Sequence, residues 1–327
     1  MDPRLRVRAI VALAAAVAVA AVVGITVWQT HGERTSVPGA VIAPRAGSPR
    51  LWLDFGVRRD AQSRALARAQ ALYNEGKATQ AAAIFARYHS LAAQVGLAFT
   101  SWRTDGFATI KKLAADNLAS PLVQLHLGWA DFWAGRNADA VAAWEKAAQL
   151  GRDSPYGVDA LDALHPTLKI PGLPPIVTGL AAPKGLVGRT PAAQLALLKA
   201  QASGGSADAK LRYGVALWNL ERPVSAERQL AAAAKLAPND PVARVAAAVG
   251  RFTKANPAAA FGKLGPLTAA FPSAPVVEFH LGLLLLWIAE VKKAKTHLHA
   301  AIADGPQTVY AKNARVLLAS LANNGTK

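Results

Sequence analysis

Small and apolar residues recur along the C-terminal third of the chain with a spacing of 34 residues. Five columns keep this spacing through three units: Gly214, Ala248 and Gly282; Ala226, Ala260 and Ala294; Leu230, Leu264 and Leu298; Ala233, Leu267 and Ala301; Pro238, Pro272 and Pro306. The small residues let two helices approach closely, and the apolar residues share one helix face. The proline then ends the second helix, since it cannot continue one. The period therefore predicts stacked pairs of short helices.

Earlier segments follow the same pattern less completely. Residues 121–154 carry it at Gly128, Ala140, Trp144 and Ala147, and Ser120 before Pro121 predicts a helix cap. A fainter unit contains Ala69, Gly76, Ala81, Phe85 and Tyr88. Residues 91–119 are helical in pattern but too short for a full unit. A last helix at about 308–322 would cap the array.

At these residues the chain resembles the tetratricopeptide repeat family, whose unit is a 34-residue helix–turn–helix. The match is good over 207–240 and 275–306, and weaker over 241–274, where Ala247–Ala248 replaces the usual leucine–glycine pair. The resemblance implies an all-α solenoid of helical hairpins in two blocks, residues 58–154 and 206–322. We expect a protein or peptide partner, no enzymatic activity and no cofactor, although the fold alone names no pathway.

The N-terminal segment predicts a membrane anchor. Residues 9–28 carry no charge over twenty positions, about the length that crosses the hydrocarbon core as a helix. Arg4, Arg6 and Arg8 precede this span, so we expect residues 1–8 in the cytoplasm and the bulk of the chain outside it. A cleaved signal peptide, cut near Ala18 or Ala20, is the alternative.

Two segments rich in proline and glycine interrupt the helical pattern. Residues 29–57 predict a flexible linker after the anchor. Residues 155–205 hold seven of the twenty prolines, and their pattern predicts helices at 155–164 and 191–201 with an extended stretch at 170–176 between them. This insert is either a linker between the two blocks or a segment that folds back along the array.

The first helix of each unit should line a concave surface that is unusually apolar and aromatic. Aromatic side chains are enriched at interface hot spots, so this surface predicts a peptide-binding groove. The alternative is a groove already filled by the insert or by the preceding helices. The predicted groove residues are Leu125, Trp129, Phe132, Trp133, Leu211, Val215, Trp218, Asn219, Val249, Phe252, Phe279, Leu283, Leu286 and Trp287.

Charge adds a second possible class of partner. The chain has a formal net charge of +17 and a pI near 10.4. The basic residues either form an ordinary solvated surface or attract anionic lipids and acidic wall polymers. The sequence contains no nucleic-acid recognition motif, so we expect no nucleic-acid partner.

Candidate chemistry is sparse along the whole chain. The absence of cysteine excludes disulfides and thiolate metal sites. His297 and His299 are two residues apart, which places them on different sides of a helix, so we predict no metal site. His126 and His280 occupy equivalent places in two repeats, which indicates common repeat ancestry. Asp131, beside two tryptophans, is the acid worth testing for catalysis, and we predict no catalytic residue.

Overall fold

The computed structural model describes residues 44–183 and 185–323, and its secondary structure there is helical. These residues divide into two compact units, a first block over 44–164 and a second block over 165–323. Within the described residues, no helix combines the length and apolarity that a membrane crossing requires. The predicted anchor, residues 9–28, lies outside the described part of the chain.

The first block contains three helical pairs and a closing helix. Side-chain oxygens of Asp60, Ser90 and Ser120 accept hydrogen bonds from backbone N–H groups in the first turn of the helices that follow them. The helices are α1 (Ala61–Asn74), α2 (Ala78–Phe85), α3 (Leu91–Thr100), α4 (Gly106–Asp116), α5 (Pro121–Trp133), α6 (Asn137–Leu150) and α7 (Pro155–Leu164).

The second block begins with an irregular stretch and continues as stacked helices. Proline occupies the first turn of several of them, where its missing N–H leaves no intrahelical bond unmade. The helices are α8 (Pro191–Ser203), α9 (Ala207–Asn219), α10 (Pro223–Leu236), α11 (Pro241–Val249), α12 (Ala258–Leu264), α13 (Leu267–Ala270), α14 (Pro275–Trp287), α15 (Val291–Asp304) and α16 (Val309–Asn323).

The turns within four hairpins share one backbone feature. The residue two positions after the first helix has positive φ: Gly76 at 79°, Gly135 at 78°, Glu221 at 53° and Ala289 at 64°. Glycine adopts this left-handed conformation without strain, whereas Glu221 and Ala289 adopt it at a cost of about 1 kcal/mol each. The hairpin geometry therefore determines the conformation even where the sequence does not favour it.

Each block has its own apolar core. The first is centred on Phe85, Phe99 and Leu125, all essentially inaccessible to solvent. The second is centred on Phe252 and Phe279, which are also fully buried. Burial of one such side chain stabilises a fold by about 1.5–3 kcal/mol, so these clusters set the stacking of the helices that carry them.

Candidate polypeptide-binding grooves

The predicted groove residues lie mostly in the interior of the two blocks. Phe132, Trp133 and Val215 are partly buried, and Asn219 is exposed. The remaining members are buried: Leu125, Trp129, Leu211, Trp218, Val249, Phe252, Phe279, Leu283, Leu286 and Trp287. Whether these residues bind a partner stays a prediction, but their burial shows that another part of the chain covers much of the surface.

In the second block, the covering element is residues 168–180, which we call the second segment. Aromatic side chains of three helices hydrogen-bond to its main chain. The Trp218 indole N–H donates to the Pro174 carbonyl at 2.7 Å, and the Trp287 indole N–H donates to the Gly172 carbonyl at 3.1 Å. The Tyr310 hydroxyl donates to the Thr178 carbonyl at 3.0 Å. The insert therefore folds back along the array, as one of the two sequence-based alternatives proposed.

A buried histidine completes this attachment. The backbone N–H of Val177 donates to His280 Nε2 at 3.0 Å, while His280 Nδ1 lies 2.7 Å from the Val276 carbonyl oxygen one turn earlier in α14. Burial lowers the pKa of His280 to about 4, so the ring is neutral at neutral pH. A neutral ring has one donor and one acceptor, and both are used here.

Apolar side chains and one lysine add to the second segment's attachment. Ile170, Ile176 and Val177 are buried in the same core cluster as the helices. The Lys254 ammonium, also buried, donates to the Leu168 carbonyl at 3.1 Å. Prolines at 171, 174 and 175 restrict the unbound chain to extended conformations, which lowers the entropy lost on ordering.

The first block holds an extended segment in the same manner. Residues 45–54, here called the first segment, belong to the stretch that the sequence assigns to the flexible linker. The Trp133 indole N–H donates to the Ala46 carbonyl at 3.3 Å, and the Tyr73 hydroxyl donates to the Pro49 carbonyl at 2.7 Å. Leu51 and Leu53 are buried, so this stretch is packed rather than free.

His126 occupies the position in the first block that His280 has in the second. Its Nε2 accepts the Trp52 backbone N–H at 3.3 Å, and its Nδ1 lies 2.7 Å from the Leu122 carbonyl oxygen. Burial, together with the nearby Arg50 charge, lowers the pKa of His126 to about 4. The two blocks therefore share one device for holding an extended segment.

An ion pair and a cation–π contact distinguish the first segment from the second. Arg50 forms an ion pair of 3.0 Å with Asp159 of α7, whose carboxylate is largely buried. Burial raises the pKa of Asp159, and the adjacent Arg50 opposes that rise. The Arg45 guanidinium lies 3.4 Å from the centre of the Phe132 ring, a cation–π contact.

Both segments run antiparallel to the helix that carries the histidine. In the first block, Ala46 meets the end of α5 at Trp133, whereas Trp52 meets its earlier turns at His126. In the second block, Gly172 meets the end of α14 at Trp287 and Val177 meets His280. Helices α5 and α14 match at their proline, histidine, glycine and final tryptophan.

One contact defines the hairpins in both blocks. A methyl group added at Gly128, Gly214 or Gly282 would collide with the residue sixteen positions later, which is Trp144, Leu230 and Leu298 respectively. The distances would be 2.7 Å at Gly214 and 2.9 Å at Gly282. The first helix of each pair thus packs directly on the second, at the positions that the 34-residue period predicts. The described helical hairpins have the form of the tetratricopeptide fold. The solenoid is divided into two blocks, as the sequence predicts.

Comparisons with known proteins give only distant similarities to this tetratricopeptide solenoid. No family model and no curated protein matches the chain. It is similar to YrrB, a TPR protein with an unusual peptide-binding site, at 16% identity, 63% coverage of this chain, 97% of that chain and a TM-score of 0.30. It is also similar to a tetratricopeptide repeat protein from Parabacteroides merdae, at 11% identity. That match covers 79% of this chain and 98% of that chain, with a TM-score of 0.31.

Cut9, in the Cut9–Hcn1 hetero-tetramer of APC/C, is another similar structure. The identity is 14% and the TM-score 0.30, with 80% of this chain covered and 56% of that chain. At such TM-scores the tetratricopeptide assignment depends on the chain's own period and hairpin contacts.

Asp131 lies at an open cleft of about 380 Å³ between α4, α5 and α6. Burial raises the pKa of Asp131 to about 6, while Arg136, 3.1 Å away, acts in the opposite direction. An ion pair with a neighbouring arginine is an ordinary structural arrangement, and the absence of a catalytic role for Asp131 stays a prediction. Across the described ranges, no group of three or more histidine, aspartate or glutamate residues is arranged to hold a metal.

The two histidines are the site residues whose role the sequence does not reveal. Their equivalent positions indicate repeat ancestry, but the polar partner of each ring is a backbone amide from a distant irregular segment. His297, in contrast, pairs with Glu278 at 2.7 Å across the α14–α15 hairpin. One feature of the sequence could have indicated this role: His126 and His280 lie on otherwise apolar helix faces. A polar ring buried on such a face requires a hydrogen-bond partner.

Proposed function

We propose that this tetratricopeptide solenoid is a non-catalytic scaffold that grips extended polypeptide in its grooves. The observation that supports the proposal is the second segment itself, since it is held through its main chain by Trp218, Trp287 and Tyr310. Donors aimed at backbone carbonyls recognise the main chain of an extended segment, while the positions of its prolines and buried apolar side chains determine how well it fits. A partner segment of similar character therefore suits the same surface.

We further propose that the scaffold works at a membrane, with its bulk outside the cytoplasm. The uncharged stretch at 9–28 and the three preceding arginines support this location. Tethering would raise the effective concentration of the grooves near membrane-bound partners. An envelope assembly or maturation complex is the setting we expect for such a scaffold.

A peptide titration tests the gripping of polypeptide. A full-length variant with residues 168–180 replaced by a Gly–Ser chain of equal length would leave the second groove empty. We expect a labelled peptide with the sequence of residues 168–180 to bind this variant saturably in fluorescence anisotropy. Adding Trp218→Phe and Trp287→Phe removes two indole donors but keeps two rings, and should weaken binding roughly tenfold or more.

A control peptide distinguishes binding in the groove from non-specific binding. A scrambled peptide of the same composition should bind at least about tenfold more weakly, because its prolines no longer match the path of the groove. If the Gly–Ser variant is folded but does not bind the peptide with the sequence of residues 168–180, the groove does not accept a separate polypeptide and the proposal is wrong.

Membrane attachment has its own experiment. We expect the full chain, expressed in cells, to remain in the membrane fraction after alkaline carbonate extraction, and its C-terminal blocks to be digested by protease added from the outer side. A deletion of residues 9–28 is the matched control and should appear in the soluble fraction. Complete extraction of the intact chain by carbonate would refute the anchor.

A second candidate function is binding of anionic polymer or lipid. It is favoured by an uneven charge distribution, since residues 165–323 contain 18 Lys and Arg against 7 Asp and Glu, whereas residues 44–164 contain 14 against 11. A salt series separates the two functions. Binding to an acidic polymer should weaken steeply between low and physiological ionic strength, whereas binding in an apolar groove should change little.

A further inference from the structure

The protonation pattern of the two buried histidines follows from their partners. A carbonyl oxygen only accepts hydrogen bonds, so the nitrogen facing Leu122 or Val276 must carry the hydrogen. A backbone N–H only donates, so Nε2 facing Trp52 or Val177 must present its lone pair. Both rings are therefore neutral with the hydrogen on Nδ1, and this state is the one that binds the segments.

A second proton would turn the acceptor into a donor. Nε2–H would then point at a backbone N–H, and a hydrogen bond would become a repulsive contact inside an apolar core. We propose that His126 and His280 are proton-operated latches, which hold the two extended segments while neutral and release them when the rings are protonated. Each latch acts on the chain's own segment, whatever partner the groove binds.

The surroundings of each ring support such a switch. For His126, the facing groups are the Arg50 guanidinium on the first segment and the Phe99 ring on α3, at 5.3 Å between ring centres. Arg50 is itself paired with Asp159 of α7. Neither facing group offers a negative charge to a protonated ring, so protonation must be relieved by movement of the segment.

For His280, the facing groups are the aromatic rings of Phe279 and Tyr310, with ring-centre distances of 5.2 and 6.2 Å. Burial raises the pKa of the Tyr310 hydroxyl, and the charge of Asp240 raises it further, so Tyr310 stays neutral across the acidic range. The two rings differ mainly in the Arg50 charge beside His126, and burial dominates in both.

Release should be local because the segments have no helical hydrogen bonds of their own. The second segment accepts hydrogen bonds from Trp218, Trp287, Tyr310 and Lys254 and donates one to His280. The helices beneath are stabilised by their internal backbone bonds and by hairpin packing. Elements with few internal bonds open at lower free energy than those with many.

Hydrogen exchange of the full chain over a pH series from 7 to 3.5 tests the proposal. Rates are corrected for the intrinsic pH dependence of exchange, and peptides covering 45–54 and 168–180 are compared with peptides from α9 and α14. In the wild type, we expect both segments to lose protection near pH 4 while the helices keep theirs.

Histidine-to-glutamine variants give the decisive comparison, because glutamine places an amide oxygen near the Nε2 position and does not titrate. His280→Gln should lower the opening midpoint of the second segment by about one pH unit or more and leave the first segment unchanged, with the reverse for His126→Gln. His299→Gln, at an exposed position on α15, is the matched control and should change neither midpoint.

Two results of the exchange experiment would overturn the proposal. One is an opening midpoint of the second segment that does not change in His280→Gln. The other is loss of protection by segments and helices at the same pH. If His280→Gln already loses its segment at pH 7, the imidazole ¹⁵N titration of the wild type replaces that comparison. Opening that tracks ring protonation would support the latch, and a protonated ring beneath a protected segment would exclude it.

Discussion

The two blocks hold their extended segments with the same histidine but with different surrounding forces. The first segment adds charge: Arg50 pairs with Asp159, and Arg45 lies over the Phe132 ring. Both segments also bury apolar side chains and accept indole hydrogen bonds, from Trp133 in the first block and from Trp218 and Trp287 in the second. The shared part is thus a backbone-directed latch, while the remaining contacts vary. Salt should therefore affect the first attachment and leave the second nearly unchanged.

The largest expected effect comes from removing the indole at the centre of the second groove. Trp218→Ala should lower the free energy of unfolding by about 3–5 kcal/mol, because the ring is 2% exposed and packs in the core. Trp133→Ala, at a half-buried ring in the first block, should lower the free energy of unfolding by less than Trp218→Ala does. Urea denaturation measures both. A nearly neutral Trp218→Ala would mean that the second groove is open, contrary to the account.

The blocks should also differ in their response to pH. The folded-state pKa of each latch histidine, about 4, is below the unfolded value of 6.5. The unfolded chain therefore binds more protons between these values, and each histidine's stabilisation is complete above pH 6.5 and lost as pH falls towards 4. The amount is about 3 kcal/mol per ring.

Two buried carboxyl groups of the first block, those of Asp131 and Asp159, oppose this trend. Burial raises the pKa of Asp131 to about 6 and also raises that of Asp159. A raised carboxyl pKa stabilises the fold at low pH and loses that contribution as pH rises through the folded value. We therefore expect a steeper loss of stability below pH 6.5 in the second block, measured as free energies from hydrogen exchange of its helices. Equal slopes in both blocks would contradict this.

The ion pair of the first segment gives a smaller, salt-sensitive effect. Arg50→Ala should cost about 1–2 kcal/mol, since it leaves Asp159 without its partner, although the 43% exposure of the arginine lets water screen part of the interaction. Exchange protection of residues 45–54 should fall, while that of 168–180 should not. Added salt should narrow the difference between wild type and variant. Equal loss of protection in both segments would argue against separate attachment.

The smallest expected effect concerns the hairpin turns. Ala289→Gly relieves a left-handed backbone conformation and should stabilise the second block by about 0.5–1 kcal/mol. Gly135→Ala, at the corresponding turn of the first block, should destabilise by a similar amount. Melting temperatures of the two variants test this, and a shift of the same sign in both would refute it.

How much of this structure follows from sequence depends on whether a region is periodic. The 34-residue columns place Gly214 and Gly282 against Leu230 and Leu298, and the structure confirms the hairpins there. The irregular segments carry no period, because their contacts are made by main-chain atoms that every residue has. Residues 45–54 thus resemble a linker, although Leu51 is 1% exposed. For the site, the sequence predicted the aromatic lining and offered the insert as one of two alternatives for covering it. It did not predict the packed first segment or the histidine contacts to either segment.

The most direct test of the account is a through-hydrogen-bond ¹⁵N–¹⁵N correlation in the full-length chain at neutral pH. It should connect the Val177 amide nitrogen to His280 Nε2 and the Trp52 amide nitrogen to His126 Nε2, with both imidazoles carrying their hydrogen on Nδ1. The absence of both correlations, with imidazole ¹⁵N shifts of freely exchanging tautomers, would show that the segments do not occupy the grooves.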